Sequence, residues 1–147
     1  MFTLFGLFAD PPGDISEQIS RIWPHLNIIR LEQPISAIAA RFGENDYDRG
    51  PEGIPEPIAR AIANLSKENA LVRVLLLRTE CFGGECENWG QIVQNGTTVF
   101  QADGEGALRR LIKYWGVDLG PQEIFDPLRR DFQWDAPPGR GRSTGSA

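Results

Sequence analysis

The sequence predicts an α+β protein in which helices pack on one face of a mostly antiparallel sheet. Three observations support this prediction. Helix and strand patterns are mixed along the chain rather than strictly alternating. Asn95-Gly96 lies between two strand patterns and is the strongest short-range hairpin signal in the sequence. Residues 71–80 form a long apolar run rich in Val and Leu, as expected of a central strand.

The first half of the chain predicts two helices and three strands. Residues 2–9 alternate loosely between apolar and small positions and predict the first strand. Asp14 and Glu17 have the spacing of a capping box, and the isoleucines that follow share one helix face until Pro24 ends the helix. Further strands are predicted at 27–32 and 35–42, and a second helix is predicted to begin at Pro55 or Pro57.

The second half predicts a β-meander followed by a helix. Strands are expected near 71–81, 89–94 and 97–102. The third helix is expected to begin at Asp103 or Glu105 and to end before Gly116, a residue suited to the left-handed position after a helix. Short helical segments are predicted at 121–126 and 127–132, because Pro127 cannot lie inside one continuous helix.

Length and charge limit the classes of function. The 147 residues fit one domain, predicted at 1–134, with a disordered tail at 135–147. The net charge of -5 repels phosphate backbones, so nucleic-acid binding is not predicted. No run approaches the roughly 18 apolar residues of a membrane span, and the N-terminus lacks the basic region of a signal peptide. With only two cysteines, the chain is predicted to be cytoplasmic with reduced thiols; the sequence leaves the oligomeric state open.

Residues 80–89 are the most informative segment, since two cysteines, two adjacent glycines and three carboxylates fall within ten positions. They are predicted to form a loop with a specific structure rather than a spacer. A second acidic loop is predicted at 43–55. Both loops are interpreted as a docking face for a basic protein partner, with Phe82 and Trp89 as anchors. The predicted partner-binding residues are Glu80, Phe82, Gly83, Gly84, Glu85, Glu87 and Trp89 in the first loop, and Glu44, Asp46 and Asp48 in the second.

Cys81 and Cys86 leave several chemistries open, and free thiols that pack as small apolar groups are favoured. A disulfide across the loop is one alternative, because the two glycines allow a tight reversal of the chain. A zinc site would need further ligands, and the single histidine, His25, is far away in sequence. Thiol catalysis is disfavoured because the acidic neighbours oppose formation of a thiolate.

No catalytic residue, metal or cofactor is predicted, so the sequence favours a protein that is not an enzyme. His25 follows Pro24 and is interpreted as a helix-end or surface residue. The two adjacent glycines lack the Lys and Ser/Thr of a phosphate-binding loop, and residues 44–48 begin an acidic pattern without the later glycine and glutamate of a calcium loop. A cysteine-dependent metal-binding or redox-sensing protein is the alternative function.

One pattern extends beyond the acidic loop and resembles a known family. It consists of Glu80-Cys81-Phe82-Gly83-Gly84, then Trp89, Asn95-Gly96, Ala107-Leu108-Arg109 and Gly116-Val117. This pattern resembles small bacterial proteins of the immunity type, which protect a cell from its own polymorphic toxins. The chain departs from it at Cys86, where a small residue is common, and at 122–126, a loose counterpart of an Asp-Glu-Phe-Asp run. The resemblance implies a non-enzymatic inhibitor that binds a cognate toxin domain.

Overall fold

The computed structural model describes residues 2–10, 15–48, 50 and 52–135 of the chain. The strands are β1 (Phe2–Ala9), β2 (Ile29–Leu31), β3 (Ala37–Arg41), β4 (Val74–Phe82), β5 (Glu85–Gln94) and β6 (Thr97–Asp103). The helices are α1 (Ser16–Ile22), α2 (Glu56–Glu68) and α3 (Ala107–Trp115), with 3-10 helices at Glu44–Asp46 and Asp126–Leu128. Within these ranges no helix is long and apolar enough to cross a membrane.

The six strands form one antiparallel sheet in the order β2-β3-β1-β4-β5-β6. β4 pairs with β1 on one side and β5 on the other, as its apolar sequence predicts. Asn95 and Gly96 join β5 to β6 with φ angles of 50° and 82°, the two positive values that a type I′ turn requires. The α+β class, the antiparallel sheet and the predicted hairpin are therefore confirmed.

The helices divide between the two faces of the sheet. Leu75 and Leu77 of β4 belong to the core that α3 and the chain after it complete. Leu76, between them, belongs to the core on the opposite face, where α1 and α2 pack. The predicted packing on one face thus applies to α1 and α2 only, because a central strand that is apolar on both sides needs cover on both.

α3 begins a few residues later than predicted and ends as predicted. β6 extends to Asp103, the earlier of the two expected starts, and a turn at 104–106 separates the strand from the helix, which begins at Ala107. Gly116 follows the helix with a φ of 112°, and its N–H donates to the carbonyl of Lys113. The N–H of Val117 donates to the carbonyl of Ile112, which completes a Schellman motif.

The segment after α3 contains less helix than predicted. Of the two short helices expected at 121–126 and 127–132, only the 3-10 helix Asp126–Leu128 is present. The segment instead closes one core with buried aromatic rings, namely Phe125, Phe132 and Trp134. Burial of those rings sets the path of the chain and overrides its local helical preference. The proposed Asp14 cap and the tail from residue 136 lie outside the described residues.

Candidate functional site

Residues 80–89 form the end of a β-hairpin rather than the predicted loop. β4 extends to Phe82 and β5 begins at Glu85, so only Gly83 and Gly84 remain as the turn. Their φ angles of 57° and 88° suit a type I′ turn and favour glycine. A Cβ at either glycine would have no described atom within 4 Å. The turn therefore projects away from the packed part of the protein.

Cys81 and Cys86 are joined by a disulfide across this hairpin. A two-residue turn at 83–84 pairs the flanking residues in order, which sets the cysteines directly opposite each other with Cα atoms 4.0 Å apart. Opposed Cβ atoms in an antiparallel pair lie within disulfide range. The favoured prediction of free thiols is therefore wrong. The C-x4-C spacing centred on two glycines is the sequence signal for the bridge.

The hairpin end has two different faces because successive side chains alternate across a strand. One face carries the opposed pairs Glu80–Glu87 and Phe82–Glu85, with Trp89 next along β5. We call these five residues the acidic hairpin face. Phe82 is 57% exposed, and Glu85 and Glu87 are also exposed. The structure thus brings the predicted docking side chains of this segment onto one surface.

The opposite face of the same hairpin is closed by internal contacts. Thr79 is buried, and its hydroxyl donates to Oδ1 of Asn88 at 2.7 Å. The disulfide lies next along the strands, with Phe2 of β1 opposite Cys81. These contacts join β4 and β5 on the side opposite the acidic hairpin face, and they hold that face in a fixed position.

Arg78 organises the base of the acidic hairpin face, and sequence reasoning missed it. The residue is 1% exposed, and its Nε and Nη2 donate to Oε2 of Glu80 at 2.9 and 2.6 Å. Nη1 donates to the carbonyl oxygen of Gly53 at 2.9 Å. The guanidinium lies 5.5 and 5.9 Å from the ring centroids of Tyr47 and Trp89. An arginine within an apolar strand is the signal that could have found it.

Arg78 also determines which carboxylates of this face carry uncompensated charge at the surface. Glu80 and Glu87 are directly opposite each other, an arrangement in which like charges repel. The guanidinium compensates the charge of Glu80, whose side chain is only 20% exposed. Glu80 therefore serves the internal structure of the face, whereas Glu85 and Glu87 supply its outward negative charge.

The second predicted loop, residues 43–55, packs against the same side of the sheet. Its Gly53 carbonyl accepts the hydrogen bond from Arg78. Its Tyr47 ring meets the ring of Phe5 edge-on, with 5.0 Å between the centroids. Because Arg78 contacts Gly53 and Tyr47 as well as the hairpin, the two acidic segments are joined through one buried guanidinium.

The three carboxylates predicted in this second loop differ in position. Asp46 has a side chain only 11% exposed, and its Oδ2 accepts the N–H of Gly43 at 2.6 Å. Its other oxygen lies 2.5 Å from Nε2 of His25. Glu44 and Asp48 are exposed. Asp46 therefore fixes the loop, whereas Glu44 and Asp48 are the carboxylates that lie at the surface.

The His25–Asp46 pair is a second feature that sequence reasoning missed. His25 lies in the turn after α1, as predicted, but it also lines a cleft of about 400 Å³ together with Arg41 and Trp134. The two residues are 21 positions apart, so only the packed fold brings them together. The imidazole and the carboxylate thus lie within hydrogen-bonding distance of each other on the wall of this cleft.

The disulfide also changes the chemistry available to the cysteines. Bonded sulfur atoms offer no thiolate to a metal ion or a substrate. Among the described residues, no group of three or more His, Cys, Asp or Glu side chains is arranged to hold a metal ion. What remains available to Cys81 and Cys86 is reduction of the bond that joins them.

Comparisons with known proteins identify no relative. No family model, curated protein or solved structure matches this chain.

Proposed function

We propose that this protein is a non-enzymatic binding module that docks a basic protein partner through the acidic hairpin face. The observation that carries the proposal is Phe82, a large ring that is 57% exposed at the end of a disulfide-closed hairpin. Burying such a ring in a pocket of the partner is worth about 2 kcal/mol. Aromatic residues in desolvated pockets are typical anchors of interfaces.

Charge supports a basic partner. Glu85 and Glu87 flank the exposed ring, and the whole chain carries a net charge of -5. Carboxylates at the rim of an interface attract a positively charged surface and raise the association rate. The same charges disfavour acidic partners, so they contribute to specificity as well as to speed.

The closed hairpin lowers the entropic cost of binding. A projecting hairpin without cross-links would sample many conformations and lose that freedom when it docks. The disulfide on one face and Arg78 at the base restrict it before the partner arrives. Preorganisation of this kind improves affinity without any additional contact.

The resemblance to immunity-type proteins gives the proposal its most specific form. The Phe82-Gly83-Gly84 element that carries the resemblance coincides with the end of the hairpin. In this form the partner is a cognate toxin domain with a basic active-site surface, and the protein inhibits it by occlusion. The protein then needs no catalytic group of its own.

A tagged pull-down from lysate of the native host at low and high salt tests the proposal. We expect one stoichiometric partner that is retained at low salt and lost at high salt, because exposed charge pairs are screened. The association rate with that partner should fall about tenfold in the double variant Glu85→Lys, Glu87→Lys. The matched control, Glu17→Lys with Glu68→Lys on α1 and α2, changes the net charge equally and should leave the rate nearly unchanged.

Two results would contradict the proposal. A partner that binds both double variants equally would dock elsewhere on the protein. Absence of a stoichiometric partner at either salt concentration would remove the binding-module function.

A redox-sensing role is a second candidate, and the disulfide favours it. Cys86 is exposed, so a dithiol reductant can attack the bond, and two electrons and two protons convert the disulfide to two thiols. Equilibration in dithiol buffers, followed by alkylation and mass spectrometry, gives the midpoint potential. A value between about -300 and -180 mV supports sensing, whereas a lower value indicates a structural bond.

The disulfide also bears on the predicted cytoplasmic location. Disulfides persist mainly in oxidising compartments and are rare in a reducing cytoplasm. Alkylation of host cells immediately after acid quenching measures the state of Cys81 and Cys86 in place. Two alkylated thiols would support the cytoplasmic prediction, and an intact bridge would place the protein in an oxidising compartment.

A further inference from the structure

A shallow cavity of about 410 Å³ lies on β5 and β6, the last two strands at one edge of the sheet. Its floor contains two cross-strand pairs, Trp89–Asp103 and Gln91–Gln101, which project from the same face of β5 and β6. Residues 53–54 form one wall. The cavity therefore presents one large ring, two amides and one carboxylate to a common space.

The amides of Gln91 and Gln101 are directly opposite each other, yet within the described protein neither forms a hydrogen bond. Elsewhere the chain satisfies comparable groups, since Nδ2 of Asn69 donates to Oε1 of Gln18 at 2.9 Å. Gln91 is half-buried, which makes an unused amide there more costly than one in open solvent. Each amide offers two N–H donors and a carbonyl acceptor to a ligand.

The charge of the cavity is balanced, unlike that of the acidic hairpin face. Asp103 contributes one negative charge and Arg110 one positive charge. Nη2 of Arg110 donates to the backbone carbonyl of Asp103 at 3.0 Å, which keeps the guanidinium at the rim. A cavity with one charge of each sign and two neutral amides favours an uncharged polar ligand.

Trp89 supplies the apolar part of the cavity. Its ring is held in place by the guanidinium of Arg78, 5.9 Å from the ring centroid. A sugar ring combines an apolar C–H face, which fits an aromatic ring, with hydroxyl groups that both donate and accept hydrogen bonds. From this combination we infer that the cavity binds a neutral mono- or disaccharide. Its volume of about 410 Å³ is at the small end of ligand sites, which suits one or two sugar rings.

Nuclear magnetic resonance of the full ¹⁵N-labelled chain tests the inference. The probes are neutral methyl glycosides of glucose, galactose, mannose and N-acetylglucosamine, together with maltose and cellobiose. At least one probe should shift the side-chain NH₂ signals of Gln91 and Gln101, with a Kd on the order of 1 mM for so small an interface. Gln91→Ala and Gln101→Ala should each weaken binding about tenfold, whereas Gln94→Ala, a control on the same strand outside the cavity, should bind normally.

Three results would overturn the inference. These are no shift with any saccharide, shifts that persist unchanged in both glutamine variants, and shifts that arginine amide produces but saccharides do not. The last would assign the cavity to a basic side chain of a protein partner. The inference does not depend on protein docking, because Glu85→Lys with Glu87→Lys should leave saccharide binding intact.

Discussion

β5 has a two-residue turn at each end, and the two turns are held in different ways. Asn95-Gly96 and Gly83-Gly84 both adopt the positive φ angles of a type I′ turn. The N–H of Gly96 donates to Oγ of Ser66 at 2.8 Å, so that turn is docked on α2. The glycine pair has no described atom within 4 Å of its Cβ positions, and a disulfide joins its strands instead.

The two turns differ in what stabilises them: packing on a helix for one and a covalent bridge for the other. An isolated two-stranded hairpin is only marginally stable in water. The Asn95-Gly96 turn needs no cross-link, because packing on a helix fixes it. The end at Gly83-Gly84 lacks that packing, and the covalent bridge and the buried Arg78 replace it. The cross-linked hairpin end therefore leaves Phe82 exposed and contributes little to the core itself.

The largest expected effect on stability comes from removing the buried positive charge of Arg78 in β4. Arg78→Met should lower the free energy of unfolding by about 3 kcal/mol, because it leaves Glu80 and the Gly53 carbonyl without their partner. Urea denaturation measures the loss. Arg30→Met, at an exposed position on β2, is the control and should stay within about 0.5 kcal/mol of wild type. Equal stability of both variants would mean that Arg78 does not support the hairpin base.

Removal of the bridge should have the next largest effect. Cys81→Ala with Cys86→Ala opens a very short loop, and chain entropy predicts a loss of about 2 kcal/mol. Hydrogen exchange should accelerate at 80–87 but not around Asn95-Gly96, because only the first turn depends on the bridge. Unchanged exchange at 80–87 would show that the strands need no covalent link.

Alanine at the second position of each turn, Gly84 or Gly96, compares the two supports directly. Gly84→Ala should cost about 1 kcal/mol, the penalty for a left-handed φ. Gly96→Ala should cost about 2 kcal/mol, because its Cβ would also lie 2.5 Å from Cγ of Lys67 on α2. Thermal or urea unfolding gives both values. A larger loss of stability for Gly84→Ala than for Gly96→Ala would contradict the conclusion that the Asn95-Gly96 turn packs on α2 while the Gly83-Gly84 turn projects.

An exposed ion pair provides the smallest effect and a contrast with Arg78. Nε and Nη2 of Arg109 donate to Asp118 at 2.7 and 3.0 Å, and with the Gly120 N–H they hold the pKa of the Asp118 carboxyl well below its ordinary value. A lowered pKa stabilises the fold above the unfolded value near 4, and the gain is lost as the pH falls towards the folded pKa. Asp118→Asn should therefore be slightly less stable than wild type at pH 7.

The difference between Asp118→Asn and wild type should shrink as the solution is acidified below about pH 4. Urea midpoints measured across this range provide the test. A difference that grows on acidification would mean that the carboxyl is favoured in its protonated form in the folded protein.

Local signals in the sequence predicted much of the fold. Asn95-Gly96 specified a hairpin because only a few residues tolerate two positive φ angles. Gly116 specified the end of α3 for the same steric reason. The apolar run of β4 specified a central strand. Each of these features depends on neighbours a few residues away.

The features that the sequence left open or did not reveal depend on register or on distant packing. The disulfide follows from the exact pairing of β4 with β5, which places Cys81 opposite Cys86. The roles of Arg78 and the His25–Asp46 pair follow from contacts that only the packed fold creates. The extent of β5, predicted at 89–94 and observed from Glu85, was underestimated because charged residues near a turn resemble a loop in sequence.

Site-specific photo-crosslinking tests the central claim most directly. Benzoylphenylalanine replaces Phe82 in one sample and Leu71, an 83% exposed residue just before the opposite end of β4, in the other. Irradiation in host lysate should crosslink position 82, but not position 71, to one stoichiometric protein. Irradiation at high salt should lower the yield of this crosslink. Equal crosslinking at both positions, or none at position 82, would contradict the claim that the acidic hairpin face is a docking surface.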